Sequence, residues 1–254
     1  MVTQAILGLS PAALCGVIAA FLFGGVVKGV TGVGLPLVLV PLTAQFLDVR
    51  VAVALLSVPM VATNIAQAAE GGHTLAAIRR IWLMLTMLAA GTFLGVHLLV
   101  SIDRHRLNVI LGVGFLALAA LLLVMPRVRV HRGAARWAGP FVGLAAGVIG
   151  GMSAMFGPPI IAYLIGIGTE PDSFVKQMAI FAFTASATML VALGGSGTLS
   201  GTDLLASAAA IIPIQLGMPM GRWLRHRTKQ DLFRALVLII LAAGGLDMLR
   251  RALF

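Results

Sequence analysis

Gly24 to Pro41 reads GGVVKGVTGVGLPLVLVP, and this stretch decides how the chain is read. It is apolar enough to lie within a bilayer. Yet five glycines, Thr31 and the prolines Pro36 and Pro41 interrupt it. Broken backbone at membrane depth is tolerated only where protein buries it or a water-filled cavity lines it. Lys28 lies inside the stretch and is the only Lys or Arg before Arg50. An ionisable residue at that depth is a candidate functional site. Gly139 to Pro159, GPFVGLAAGVIGGMSAMFGPP, has the same character. Together they point to a membrane transporter whose substrate sits between two broken segments.

Composition agrees. Sixty per cent of the residues are hydrophobic and 10% are charged, against roughly 25% charged in soluble domains. Apolar runs close to the ~20 residues of a bilayer span recur from end to end. A soluble domain is excluded, and the length allows one membrane transporter domain, residues 1–254. The net charge of +10 is not a nucleic-acid signature. The basic residues sit in short clusters between apolar runs, without the interleaved aromatics of a base-stacking platform. Cys15 is the only cysteine, so no internal disulfide or cysteine metal site forms. No cofactor is implied. His, Cys and carboxylates show no metal-ligand spacing, and neither a Ser-His-Asp order nor a phosphate loop is present. The chain does not read as an enzyme. The first ten residues lack the basic start of a signal peptide, so the first apolar run is expected to be a mature membrane segment.

Ten apolar segments can be marked: about 11–30, 33–47, 51–69, 81–100, 107–125, 137–152, 154–167, 174–193, 204–223 and 232–249. No strand-like alternation appears. The fold class is an all-α polytopic membrane protein. The second and seventh segments are short for a span. The pattern also repeats. A shift of 122 places Gly25 on Gly147, Gly29 on Gly151 and Thr31 on Ser153. A shift of 123 places Gly34 on Gly157 and Pro36 on Pro159, and a shift of 126 places Gly91 and Gly95 on Gly217 and Gly221. This predicts two repeats, about 11–125 and 137–252, of five segments each. An odd number per repeat makes the repeats inverted, a common transporter plan with its site at the repeat interface.

Two arrangements fit: ten crossings, or eight full spans plus two short or broken segments. With ten crossings, eleven Lys and Arg fall on one side and five on the other. This asymmetry favours ten crossings, and the positive-inside rule then puts the basic loops in the cytoplasm and both termini outside. Trp82, Trp137 and Trp223 lie within two residues of the basic clusters on that side, as an interfacial belt would. If the short segments dip in and return, the count is eight against eight.

Lys28 reads either as a lysine that snorkels from a helix end to the interface or as a cationic anchor for an anionic substrate. Flanking glycines, Thr31 and the lack of an evident deep carboxylate favour the anchor. Gly32, Gly34 and Pro36 would unwind and restart a helix, as would Gly157 and Pro158 in the other repeat. Restarted helices offer free N–H groups and a positive dipole end to an anion. Close helix packing is the other reading for glycines. It is the expected one for Gly91/Gly95 and Gly217/Gly221, and for the stripe Gly139, Gly143, Gly147 and Gly151. Among polar residues inside spans, Asn64, Ser153 and Ser186 are candidates for the substrate cavity. Thr63–Asn64 corresponds to Ser186–Ala187 under the 123 shift.

KGVTGVGLPLVLVP at Lys28–Pro41 and the later GGMSAMFGPPIIAYL resemble the two glycine-rich signatures of the TauE/SafE sulfite exporter family of bacterial membrane proteins. The resemblance covers nearly the whole chain, including the duplicated layout. It implies a permease or exporter of the bacterial inner membrane for a small anion such as sulfite or an organosulfonate. It also implies a lipid-embedded protein with no nucleic-acid partner, and it leaves room for a homodimer. Many family members carry a richer glycine run near the first signature. Here that run is thinner and Lys28 is added, which shifts the expected anion binding from backbone towards the lysine. Alternating access between the repeats is the expected mechanism. A channel-like anion pore, or a permease for another small organic anion, is the alternative.

Overall fold

The computed structural model describes residues 2–31, 34–69, 74–124, 132–225 and 230–253, and those residues form helices and no strands. In chain order the helices are α1 (Val2–Leu7), α2 (Pro11–Thr31), α3 (Leu35–Thr43), α4 (Val49–Ala69), α5 (Thr74–Ser101) and α6 (Arg104–Val124). After these come α7 (Arg132–Ser153), α8 (Gly157–Gly166), α9 (Pro171–Gly195), α10 (Gly201–Ala209), α11 (Ile211–Arg225) and α12 (Gln230–Leu253). Among the described residues five stretches are long and apolar enough to cross a membrane: Pro11–Val30, Ala77–Ser101, Arg104–Leu121, Ser173–Gly195 and Gly201–Leu224. Shorter apolar helices follow the same pattern at Val49–Ile65, Trp137–Ser153 and Gly157–Gly166. The chain is a multi-pass membrane protein.

The second and seventh segments are the exceptions in length. α3 has 9 residues and α8 has 10. At 1.5 Å per residue each is about 15 Å long or less, half of a ~30 Å hydrocarbon core. Neither can cross alone. With both as half-length helices the Lys and Arg count is even on the two sides, and charge no longer assigns an orientation. Trp82, Trp137 and Trp223 are all more than half exposed, as side chains at a lipid interface would be. The ninth segment is unexpectedly broken: a turn at Ala210 separates α10 from α11.

Side-chain caps mark four of the helix starts. Ser10 accepts from the Ala13 N–H ahead of α2, Asp48 from the Arg50 N–H at α4, and Asp103 from the Arg106 N–H at α6. Ser200 and Asp203 form a reciprocal capping box at α10. α3 and α8 differ, since neither Gly34 nor Phe156 supplies a side-chain cap.

Glycines set the helix pairing. α2 lies against α11, where a methyl group on Gly25 or Gly29 would collide with the Ile214 or Met218 carbonyl. From the other side, Gly217 and Gly221 meet the carbonyls of Leu22 and Val26. α5 lies against α7 in the same manner. Gly91 and Gly95 meet the carbonyls of Leu144 and Val148, and Gly143, Gly147 and Gly151 meet those of Met84, Leu88 and Thr92. Lipid tails are as apolar as leucine, so close backbone contact of this kind is what draws membrane helices together. α4 packs on α9 and α6 on α12.

Substituting Leu for Gly147 or Gly217 should therefore destabilise the protein by several kcal/mol, since overpacking by even a methylene or two costs about 1–3. Ala at Gly194, which has open space around its Cα, should cost under about 1 kcal/mol. Thermal unfolding of purified protein in detergent would check this, and equal losses at all three positions would refute close backbone packing.

Candidate functional site

Both chain breaks open onto one cavity. Lys28, near the end of α2, lines it together with Gly34, Leu35 and Pro36 at the start of α3. Ala154, Met155 and Phe156, the link from α7 to α8, line it opposite, with Gly157 and Pro158 at the start of α8. Met60 and Asn64 of α4 and Met178 and Ala182 of α9 complete the wall. The cavity is small, about 60 Å³. On the same measure one water needs about 10–15 Å³, so there is room for a few waters or one compact solute.

The breaks arise from backbone chemistry. Gly34 takes φ 92°, a left-handed conformation that glycine adopts without strain. Pro36 then restarts the chain as a helix. In the second break the left-handed residue is Ala154, at φ 62°. A side chain there costs roughly 1–2 kcal/mol. Ser153 holds the turn: its hydroxyl donates to the Ile149 carbonyl at 2.7 Å and accepts from the Met155 N–H at 3.2 Å.

Lys28 is 4% exposed. Its ammonium donates to Thr63 Oγ1 and to Asn64 Oδ1, each at 2.8 Å. Both acceptors are themselves oriented. The Thr63 hydroxyl donates to the Pro59 carbonyl at 2.7 Å, which turns its lone pairs to the lysine. The Asn64 amide donates from Nδ2 to the Ala182 carbonyl of α9 at 3.3 Å, which leaves Oδ1 for the ammonium. An ammonium carries three N–H donors, so one is left for a ligand. Among the described residues no carboxylate lies within ion-pair distance of Lys28. The snorkelling alternative is therefore set aside: the side chain turns inward and is held there.

The expected site residues separate into three groups. Lys28, Gly34, Pro36, Asn64, Gly157 and Pro158 come together at the cavity. Ser153 and Ser186 are buried but do not line it. Ser186 turns its hydroxyl back on its own helix, to the Ala182 carbonyl at 2.8 Å and the Phe183 carbonyl at 3.1 Å. It touches the site only indirectly, because Ala182 also accepts from Asn64. Thr31 ends α2, and Gly32 lies outside the described residues. The free N–H groups expected of the restarted helices are also fewer. Pro36, Pro158 and Pro159 have no N–H, and that of Leu37 bonds to the Gly34 carbonyl at 3.1 Å. Leu35 and Gly157 are the positions that still offer one within the first turns up to Leu37 and Pro159. The lysine thus contributes more to the polar lining of the cavity than the restarted backbone does. Thr63, a direct ligand of the ammonium, and the methionine wall of Met60, Met155 and Met178 stood out less in the sequence.

A larger open depression, about 440 Å³, lies beyond the far end of α3 beside Arg104, His105 and Arg251. Its arginines are already paired, Arg104 with Asp48 at 3.0 Å and Arg251 with Asp247 at 2.6 Å. It lacks the enclosure of the smaller cavity. The described residues hold no group of three His, Cys, Asp or Glu side chains that could bind a metal.

A family model described as Sulfite exporter TauE/SafE matches residues 17–248 of the chain. That span takes in both breaks, Lys28 and its two partners. No curated protein and no solved structure matches.

An ammonium held only by neutral acceptors makes a specific stability ordering. Asn64→Leu leaves the charge with one acceptor fewer and should destabilise by about 2–4 kcal/mol, because an uncompensated buried charge is the costly outcome. Lys28→Met removes the charge and should leave stability equal or higher. Thermal unfolding of the two variants tests this, and the reverse ordering would show that Lys28 is a stabilising strut instead.

Proposed function

Because the chain belongs to the sulfite exporter TauE/SafE family, we propose that it is a permease for a small anion, sulfite or a compact sulfonate, bound at the Lys28 cavity. The observation that carries the reading is the buried ammonium with a spare donor and, among the described residues, no carboxylate partner. Desolvating an isolated charge is costly. An anion entering the cavity supplies the missing counter-charge where the dielectric is low and the attraction strong. The wall fits such a guest. Its polar groups cluster at one end, at Lys28 and Asn64, and Met60, Met155, Phe156 and Ile161 form an apolar remainder. The volume suits an anion of four or five heavy atoms better than a long-chain sulfonate.

The pairing of the helices supports a reading as two inverted repeats and, with it, alternating access. Repeats at about 11–125 and 137–252 relate α2 to α7 and α5 to α11. Each glycine-mediated pair then joins one repeat to the other, and exchanging the repeats turns α2–α11 into α7–α5. Likewise α4–α9 and α6–α12 are each a helix paired with its own counterpart. This is the packing expected of two inverted repeats with a site on the axis between them. The bacterial inner membrane is the expected location. Thr63, Asn64, Lys28 and the two helix starts lie on elements of both repeats, so relative movement would alter the cavity.

Labelled sulfite uptake into proteoliposomes tests the reading. Wild-type protein should transport sulfite in a saturable manner, and Lys28→Gln should lower the initial rate at least about 100-fold, the scale of losing a charge-assisted contact of ~3 kcal/mol. Transport that persists in the variant, or that the wild type lacks for sulfite and small sulfonates alike, contradicts it. Single-channel currents in a planar bilayer would favour a pore over a permease.

A further inference from the structure

Pro59 sits inside α4, between its first half and the residues that hold Lys28. Proline has no N–H, so the Leu55 carbonyl one turn earlier loses its helical donor. A bent helix must satisfy such a group elsewhere. Here the donor comes from another element. Ser207 of α10, 0% exposed, donates from Oγ to the Leu55 carbonyl at 2.8 Å. The same oxygen accepts from the Val58 N–H at 3.2 Å. Ser57 meanwhile covers the Ala54 carbonyl at 2.7 Å. One hydroxyl thus stands where the backbone ladder of α4 is interrupted, on both the donor and the acceptor side.

The interruption matters because of what lies one turn further on. The Pro59 carbonyl accepts the Thr63 hydroxyl, and Thr63 and Asn64 hold the ammonium. The course of α4 through Pro59 therefore sets where these two acceptors stand. α10 is itself fixed, since Asp203 caps it and accepts from both the N–H and the hydroxyl of Thr3. α10 continues through the turn at Ala210 into α11, which packs on α2 beside Gly25 and Gly29, one turn from Lys28. The broken helix α10–α11 touches α4 near Pro59 and α2 near the lysine.

We propose that Ser207 is a positioning residue of the anion site: a hydroxyl from α10 that bridges the gap in the backbone ladder of α4 at Pro59 and so places Thr63 and Asn64 around Lys28. The proposal rests on the reading of the cavity as an anion site. It also gives alternating access a point of action, because a shift of α10 relative to α4 would loosen this bridge and the lysine's acceptors together.

A double-variant cycle on the full-length protein, with sulfite binding followed by ligand-induced shift of the thermal midpoint and by uptake KM, tests it. Ser207→Ala should weaken sulfite binding by roughly 2- to 30-fold, the usual range for a residue acting through a neighbour, and Ser207→Thr should restore part of it. Pro59→Ala returns the N–H that Leu55 lacks, so Ser207→Ala added to Pro59→Ala should weaken binding less than about twofold. The loss should also shrink in an Asn64→Ala background, which a merely structural role would not produce. Wild-type affinity in Ser207→Ala, or an equal loss with and without Pro59, overturns the proposal while leaving the anion site standing. If Ser207→Ala alone does not fold, the double variant decides: folded and sulfite-binding supports the role, and unfolded or weakly binding opposes it. Absence of sulfite binding by the wild type removes both this inference and the functional reading beneath it.

Discussion

An ammonium group taken out of water and given only neutral acceptors governs this structure. Lys28 keeps its charge company with a threonine hydroxyl and an asparagine carbonyl, each at 2.8 Å. Two such hydrogen bonds lessen the desolvation cost but add no counter-charge. Everything around the lysine serves to hold that arrangement. Thr63 and Asn64 are oriented by the Pro59 and Ala182 carbonyls, so the acceptors cannot turn away. Gly34 and Ala154 interrupt two helices at the same place, and the opening they leave is where a counter-charge can enter.

Holding such a site in a bilayer needs rigid surroundings, and the glycine contacts provide them. Backbone-to-backbone approach along α2–α11 and α5–α7 leaves little freedom within each pair. The interruptions lie outside those contacts: at Gly34, at Ala154, at Pro59 within α4 and at the turn at Ala210. Rigid pairs combined with a few interruptions are suited to two-state movement, because packed interfaces switch between arrangements and do not deform continuously. The strained backbone of Ala154 belongs to the same set, since left-handed non-glycine residues persist only where surrounding structure over-determines them.

Much of this was legible in the sequence, and the reasons are physical. Gly34, Pro36, Gly157 and Pro158 stand out because helix breakers inside apolar runs have few innocent explanations. Lys28 stands out because charge there is expensive. Gly91, Gly95, Gly217 and Gly221 were readable as packing residues from their four-residue spacing. Other features depend on facts a linear reading does not hold. Prolines at positions 36, 158 and 159 both start helices and delete donors, so the same residues that reveal the site weaken its backbone contribution. Ser186 shares a repeat position with Thr63 and likewise donates to the carbonyl four residues back, while Thr63 also accepts from Lys28. The link between Ser207 and Leu55 joins residues 152 positions apart. Orientation was beyond reach because the Lys and Arg count depends on whether two half-length helices cross.

The most direct test replaces sulfur by a heavier congener. Selenite keeps the shape and charge of sulfite, and selenium scatters anomalously. A crystal of the protein grown with selenite should show one strong anomalous peak in the cavity between the α3 and α8 starts, within hydrogen-bonding reach of Lys28 Nζ. A peak only at the Arg104 and His105 depression, or none near Lys28 at a concentration that blocks sulfite uptake, would contradict the account.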